Sequence, residues 1–343
     1  NTNLKRLDYN YWGAPVTGQN VRAFSPNTLD ARFYVYNEKN DYFDGLFVHN
    51  QYPSPDPDGN ITSTTPTVDK TTYNFLKGIG YCIRASNILS STTTNVVGEF
   101  KGVPNNGIVK VAVNRSPDKW WDIKTYIHGF NLISNPYPSN IDFDAFIAHG
   151  TNSTAIYSTA YFWTNTNFTP EMQGSKYPSD LQSRKIINNY AVLNGTGGVP
   201  APFGFDGNGT LDIIGSAANC ATCKVPNRYV TPGQGFIVKA KDFGSSEVEF
   251  DNSIRTNNQT AIFFNRMSAE TKDRYWVNLK TPLNFNTPLL IGYIKGATDN
   301  YEEDYDAELM VYAGDSFYSE LNDKKLAIQG RNYPFNEKDV IAL

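Results

Sequence analysis

Histidine and cysteine each occur only three times in the 343 residues. Cys82, Cys220 and Cys223 are too few for a disulfide framework in a chain this long, so its core must stand on packing. His49, His128 and His149 fall in no ligand or catalytic spacing, and there is no G-x-S-x-G, so a nucleophile–histidine–acid device is not written in the sequence. No apolar run approaches the ~20 residues a membrane-spanning helix needs. Basic charge is not in excess either. Thirty Lys and Arg stand against 34 Asp and Glu, a net charge of −4, and the pI near 5.5 argues against nucleic acid as the main partner. Neither a methionine nor a signal-like apolar segment precedes Asn1, as expected of a mature or trimmed piece.

Aromatics, glycine and proline are what is abundant: 22 Tyr, 21 Phe, 26 Gly and 19 Pro. That is the profile of strands separated by tight turns. The stretch Gly129-Phe-Asn-Leu-Ile-Ser-Asn-Pro-Tyr-Pro-Ser139 sets the pattern. Leu132 and Ile133 suit a strand, whereas Pro136 and Pro138 lack the N–H that a ladder needs, so the strand should end near Asn135 in a turn. Pro232-Gly-Gln-Gly-Phe-Ile-Val-Lys-Ala240 reads as a glycine turn feeding a second strand. Asp142 to His149 is the one helical segment expected before residue 260, with Phe143, Phe146 and Ile147 on a common face. Pro104-Asn-Asn-Gly107 between Val96–Phe100 and Val109–Val113 predicts a hairpin, because Asn-Gly accepts positive φ.

Laid side by side, the first part of the chain resembles the second. Tyr11-Trp-Gly-Ala-Pro-Val16 corresponds to Leu132-Ile-Ser-Asn-Pro-Tyr137, and Phe33–Tyr36 to Ala160–Trp163. Further on, Gly78-Ile-Gly-Tyr-Cys-Ile-Arg-Ala85 corresponds to Gly233–Ala240, and Gly98–Lys101 to Val248–Asp251. Four short segments in conserved order imply an internal duplication. The expected architecture is all-β: tandem sandwich-like modules of jelly-roll or immunoglobulin-like kind at 1–125 and 126–256, the second carrying a glycine-rich insertion at 165–230. A partial third β unit at 257–343 has strands at Arg274–Leu279, Leu289–Ile294, Glu308–Tyr312 and Leu326–Gln329, and is expected to continue past Leu343.

Candidate sites are loop-borne. Asp56-Pro-Asp-Gly-Asn60 places Asp56, Asp58 and Asn60 at alternate positions, and Asp206-Gly-Asn-Gly-Thr-Leu-Asp212 does the same with Asp206, Asn208, Thr210 and Asp212. Alternating oxygens in a glycine-rich loop suit a hard cation, so a structural Ca²⁺ is expected there. Neither is a full EF-hand: Thr67 stands where the bidentate acid would, and Gly207 and Gly209 interrupt the second. Ordinary turns in which Asp and Asn bond their own backbone are the competing reading. Cys220 and Cys223 can close a local disulfide or remain inert thiols, with redox or metal chemistry as further alternatives. Cys82 reads as a buried structural thiol. Trp120 and Trp121 point to opposite faces if extended, so one can pack inward while the other meets solvent or a sugar ring. Glu302-Glu-Asp-Tyr-Asp306 with Glu308 offers paired carboxylates, but clustering in one segment reads better as a solvated acidic loop.

Taken together, Tyr11–Val16, Phe24-Ser-Pro-Asn27, Asn131–Ser139, Ala160–Trp163, Pro232–Phe236, Gly292-Tyr-Ile-Lys-Gly-Ala-Thr298 and Ile328-Gln-Gly-Arg331 resemble large secreted proteins of Flavobacterium-like Bacteroidetes. Those proteins are exported by the type IX secretion system. The resemblance covers most of the chain, without the family's signal peptide or C-terminal sorting domain. It implies a secreted or outer-surface location and roles in adhesion, gliding or colony behaviour. The expected function is a structural or adhesive interaction module without catalysis of its own. Its partners would be other surface proteins, the secretion machinery or surface glycans, not nucleic acid. The alternative is a carbohydrate-active protein that binds or hydrolyses glycans.

Overall fold

The computed structural model describes residues 2–4, 6, 8–40, 42–48, 68–90, 94–117, 128–163, 190–201, 225–257, 273–280, 286–310 and 317–343. Strands dominate, gathered into several separate sheets, with only short helices among the described residues, so the fold is all-β. Contacts group the chain into two compact units, 1–157 with 229–259 and 158–228 with 260–343.

The first unit is built around the two corner motifs. In one sheet the order is Tyr9–Trp12, Tyr81–Arg84, Phe33–Asn37, Tyr42–Gly45. Strands Phe130–Ser134 and Gly235–Lys239 pair in the same way as Tyr9–Trp12 and Tyr81–Arg84. Trp12 stands opposite Tyr81, and Ile133 opposite Phe236, so residues that correspond in sequence occupy the same register. The two pairs also meet. Trp12 bridges Gln234 while Ile79 bridges Ile133, and Gly13 N donates to Gly233 O at 2.9 Å as Ser134 N donates to Gly78 O at 2.8 Å. Each contact is the image of the other about a local two-fold running between Gly13 and Ser134. A Cβ on Gly13 would lie 1.9 Å from Ser134 Oγ, so only glycine permits that approach. Gly78 and Gly233 carry matching φ of 74° and 70°.

The cores repeat as well. Asn20 caps a one-turn helix Val21–Phe24, and Asp142 caps the helix Phe143–Ala148 by accepting from Asp144 N and Ala145 N. Four residues after each cap stands a phenylalanine. Phe24 stacks on Phe100 at 4.7 Å and 20°, and Phe146 on Phe250 at 4.5 Å and 24°. Around the first pair gather Trp12, Val21, Phe33, Phe75, Tyr81 and Ile83. The helix at Val21–Phe24 escapes the sequence reading because a single turn carries no periodicity.

The Asn-Gly hairpin is not formed. Gly107 takes φ 74°, but Val109–Arg115 pairs with Gly244–Phe250 over seven residues, while Val103–Pro104 joins Val16–Thr17. The alternation of Val109, Val111 and Val113 inward demands an apolar partner, and Val248 and Phe250 supply it. Lys110 then lies across from Glu249 and 2.9 Å from Glu247.

In the second unit Ala160–Trp163 and Tyr190–Leu193 pair antiparallel, with Gly198–Val199 beyond. A separate sheet runs Asp273–Lys280, Asn286–Ile294, Lys324–Asn332, Ala307–Glu308. Its two central strands are parallel. Ser319–Leu321 returns into Lys324–Asn332 through Asn322 and Asp323, both at positive φ (52° and 60°), as a two-residue hairpin turn requires.

Candidate functional site

In the first unit, strand Phe33–Asn37 ends at Glu38-Lys39, beside the end of Val109–Arg115 and the turn Lys241–Gly244. These three chain ends border an open groove of about 730 Å³, lined by residues 35–39, Asp44, 114–117 and 243–245. That volume is in the range of small-molecule sites.

Glu38 forms the floor. It is 8% exposed, and Oε1 accepts from Ser116 N at 2.8 Å and Gly129 N at 2.7 Å, while Oε2 accepts from Ser116 Oγ at 2.7 Å. The carboxylate thus ties two chain segments to the strand end, its donors lying 78 and 91 residues away in sequence. His128 Nδ1 lies 3.9 Å from Oε1. Asp44, also buried, accepts from Asn37 Nδ2 at 2.8 Å. Arg115 forms one wall. Its Nη1 donates to Lys241 O at 2.7 Å, and its guanidinium lies 4.9 Å from the centre of the Phe243 ring. That cation–π contact holds in place a ring that is 63% exposed. The lining therefore carries two carboxylates, two cations, two amides and two aromatic rings, Tyr36 and Phe243. Fixed planar polar groups beside an exposed ring can recognise a polar, uncharged ligand with apolar faces.

The sequence-predicted residues Asp56, Asp58, Asn60, Trp120, Trp121, Asp206, Asn208, Thr210, Asp212, Cys220 and Cys223 lie outside the described residues. Among the described residues no three His, Cys, Asp or Glu side chains gather as a metal site would require. Cys82 is buried and unpaired, and burial pushes its thiol pKa up.

The acidic stretch is a correction at two of its residues, since Asp304 is exposed and Glu302 and Glu303 are half-buried as a surface loop would be. Far from solvated, Asp306 and Glu308 are 2% and 5% exposed. Asp306 Oδ1 accepts from Gly330 N at 2.8 Å and Oδ2 from Glu302 N at 2.6 Å. Glu308 Oε1 accepts from Tyr301 Oη at 2.7 Å and Lys324 Nζ at 2.8 Å. Both carboxylates hold the loop onto Lys324–Asn332, and alternation along Asp306-Ala-Glu308 was the signal for a strand.

None of the cleft residues was singled out by sequence. Asn37-Glu-Lys-Asn40 reads as a turn, and an aromatic inside Lys241-Asp-Phe-Gly244 was the available clue, since turns seldom need a phenylalanine. A family model described as "Domain of unknown function (DUF8693)" matches residues 1–343. The chain belongs to that family. Neither a curated protein nor a solved structure matches it. The cleft lies wholly within the part of the chain that the DUF8693 description covers.

Proposed function

We propose that this DUF8693 chain is a non-catalytic interaction module of a secreted or cell-surface protein, and that its cleft binds a neutral saccharide. The observation that carries the reading is the exposed Phe243 ring, braced by Arg115 beside a floor of amides and carboxylates. A pyranose ring offers an apolar face to the aromatic and hydroxyls to the polar floor. The motif resemblance to exported Bacteroidetes proteins supports the surface location, and an all-β scaffold of short sheets is compatible with it.

Hydrolysis is the weaker reading, although Glu38 and Asp44 both line the cleft. A glycosidase acid or base must reach the scissile bond, and both oxygens of Glu38 already accept from the protein.

Screening an array of neutral glycans, then titrating the best binder calorimetrically, tests the proposal. Phe243→Ala should weaken binding about tenfold, ~1.4 kcal/mol, with the melting temperature unchanged because the ring is exposed. Binding that is indifferent to Phe243→Ala and to Asn114→Ala would remove the cleft from consideration.

A further inference from the structure

At the other end of the strand that leads into the cleft, two arginines face each other. Strand Tyr9–Trp12 sets Tyr9 opposite Arg84. On the other side of Tyr81–Arg84, Phe33 stands opposite Ile83 and Tyr34 opposite Cys82, and Arg32, the last residue of the one-turn helix Asp30–Arg32 that leads into this strand, lies near enough to Arg84 to repel it. Like charges held close together are destabilising. Among the described residues no ion pair joins Arg32 or Arg84 to a carboxylate; burial works against the Arg32 charge, and hydrogen bonding with Tyr34 and Tyr9 outweighs it and raises its pKa. Arg32 Nη1 donates to Tyr34 Oη at 3.1 Å, and Arg84 Nη2 donates to Asn87 Oδ1. The Nε of each arginine is buried and has no acceptor. Asp30, the nearest acid in sequence to Arg32, is paired with Arg22 and Lys70, and Asp8 is buried with an interaction of its own. Burial is the largest influence lowering the Arg84 pKa, and Arg32 and Arg6 add to it. Arg6 therefore belongs to the same patch of positive potential, on a chain whose net charge is −4.

The second copy of the motif shows the same row in a purely structural form. Phe130 and Lys239 take the positions of Tyr9 and Arg84. Lys239 is 7% exposed, and its ammonium lies 5.4 Å from the centre of the Tyr157 ring. There two cations share one aromatic face, since Lys241 Nζ lies 5.3 Å from the centre of the same ring. In the first copy the row holds two half-buried guanidinium forks, and the Tyr9 and Tyr34 rings beside them are 6.0 Å apart.

We infer that Arg32 and Arg84, with Arg6 at the rim, form a binding site for an oxyanion: a sulfate, phosphate or carboxylate group borne on a larger ligand. An anion between the two forks would turn their repulsion into paired charge-assisted hydrogen bonds, the geometry that guanidinium groups provide for such groups. The Tyr9 and Tyr34 rings would wall the site. This inference does not depend on the saccharide reading of the cleft.

The test is a titration of the full chain, at low ionic strength, with sodium sulfate, inorganic phosphate, glucuronate and, as controls, sodium chloride and glucose. The readout is the ¹⁵N–¹H signals of the arginine Nε groups. Saturable shifts of the Arg32 and Arg84 signals are expected with at least one oxyanion and not with chloride or glucose. The ranking of sulfate, phosphate and glucuronate tells which group the site prefers. Arg84→Gln should weaken binding at least tenfold, Arg84→Lys less, and Phe243→Ala not at all, which separates this site from the cleft. Arg32→Gln gives an independent check should Arg84→Gln unfold. Shifts that fail to saturate, that follow ionic strength alone, or that persist at full affinity in both glutamine variants would overturn the inference.

Discussion

Burial of Asp306 gives the second unit an inverted response to pH. Its carboxyl is 2% exposed, and burial is the main reason its pKa is pushed up to about 6. The hydrogen bonds from Glu302 N and Gly330 N pull the other way, Glu302 adds repulsion, and Arg331 subtracts some of it. The unfolded chain has an ordinary aspartate, near 3.8. Between those two values the folded state therefore binds more protons than the unfolded state. Stability from this group is fully present below about pH 4 and is lost as pH rises through about 6. A gap of roughly two units corresponds to about 3 kcal/mol at ~1.4 kcal/mol per unit. Other groups titrate in the same range, so the measurement is a difference. Urea unfolding of the wild type and Asp306→Asn should be followed from pH 4 to 7.5. The asparagine side chain carries no charge at any pH. Its single carbonyl serves only one of the two backbone donors, so it is destabilised throughout, by ~1–3 kcal/mol. The wild-type advantage should then widen by up to about 3 kcal/mol on going from pH 7 to pH 4. An advantage that is constant with pH, or that grows as pH rises, would show that burial does not dominate at Asp306.

Two further substitutions probe the first unit. Gly13→Ala forces a Cβ into Ser134 and should cost ~1–3 kcal/mol, largely recovered in the double variant Gly13→Ala with Ser134→Gly, as measured by chemical denaturation. Glu38→Ala leaves the N–H groups of Ser116 and Gly129 unpaired and should cost ~2–4 kcal/mol. Glu38→Gln should cost far less, because its carbonyl keeps both donors and its amide can donate to Ser116 Oγ. A saccharide that the wild type binds without hydrolysing separates a scaffold role of Glu38 from a catalytic one.

Much of the fold was legible because it rests on short-range signals. The proline corners at Ala14-Pro15 and Asn135-Pro136 end strands by removing a donor, whatever the tertiary context. The glycines at 78 and 233 mark positive φ, and the order of the repeated segments carried over into equivalent registers. Pairing partners were less legible. Val109–Arg115 has the alternation of a half-buried strand, but alternation does not say which apolar face it will meet, and here a strand some 130 residues later won over the adjacent one. The candidate sites were hidden for a related reason. Glu38, Arg115 and Phe243 are separated by tens of residues and look like turn residues locally. Arg32 and Arg84 become neighbours only once the register is known. Asp306 and Glu308 misled because acidic density suggests solvent, whereas their alternation with Ala307 and Leu309 belonged to a buried strand.

The local two-fold separates what the first unit needs for folding from what it is free to vary. Positions on the axis are matched in both copies: the glycine turns, the bridges between Trp12 and Gln234 and between Ile79 and Ile133, and the phenylalanine stacks behind each capped turn. Asn105 reinforces the junction, donating to Ala14 O at 3.1 Å and to Pro136 O at 2.9 Å. Away from the axis the copies part. The row that closes on Tyr157 in the second copy is the open arginine row of the first. A duplicated scaffold needs its junction to be symmetric, since each half supplies the other's hydrogen bonds. The outer ends carry no such constraint. Both copies gather cations at this end, two lysines on the Tyr157 ring in the second and two arginines beside Tyr9 and Tyr34 in the first, so the outer ends are where a ligand site can differ between them.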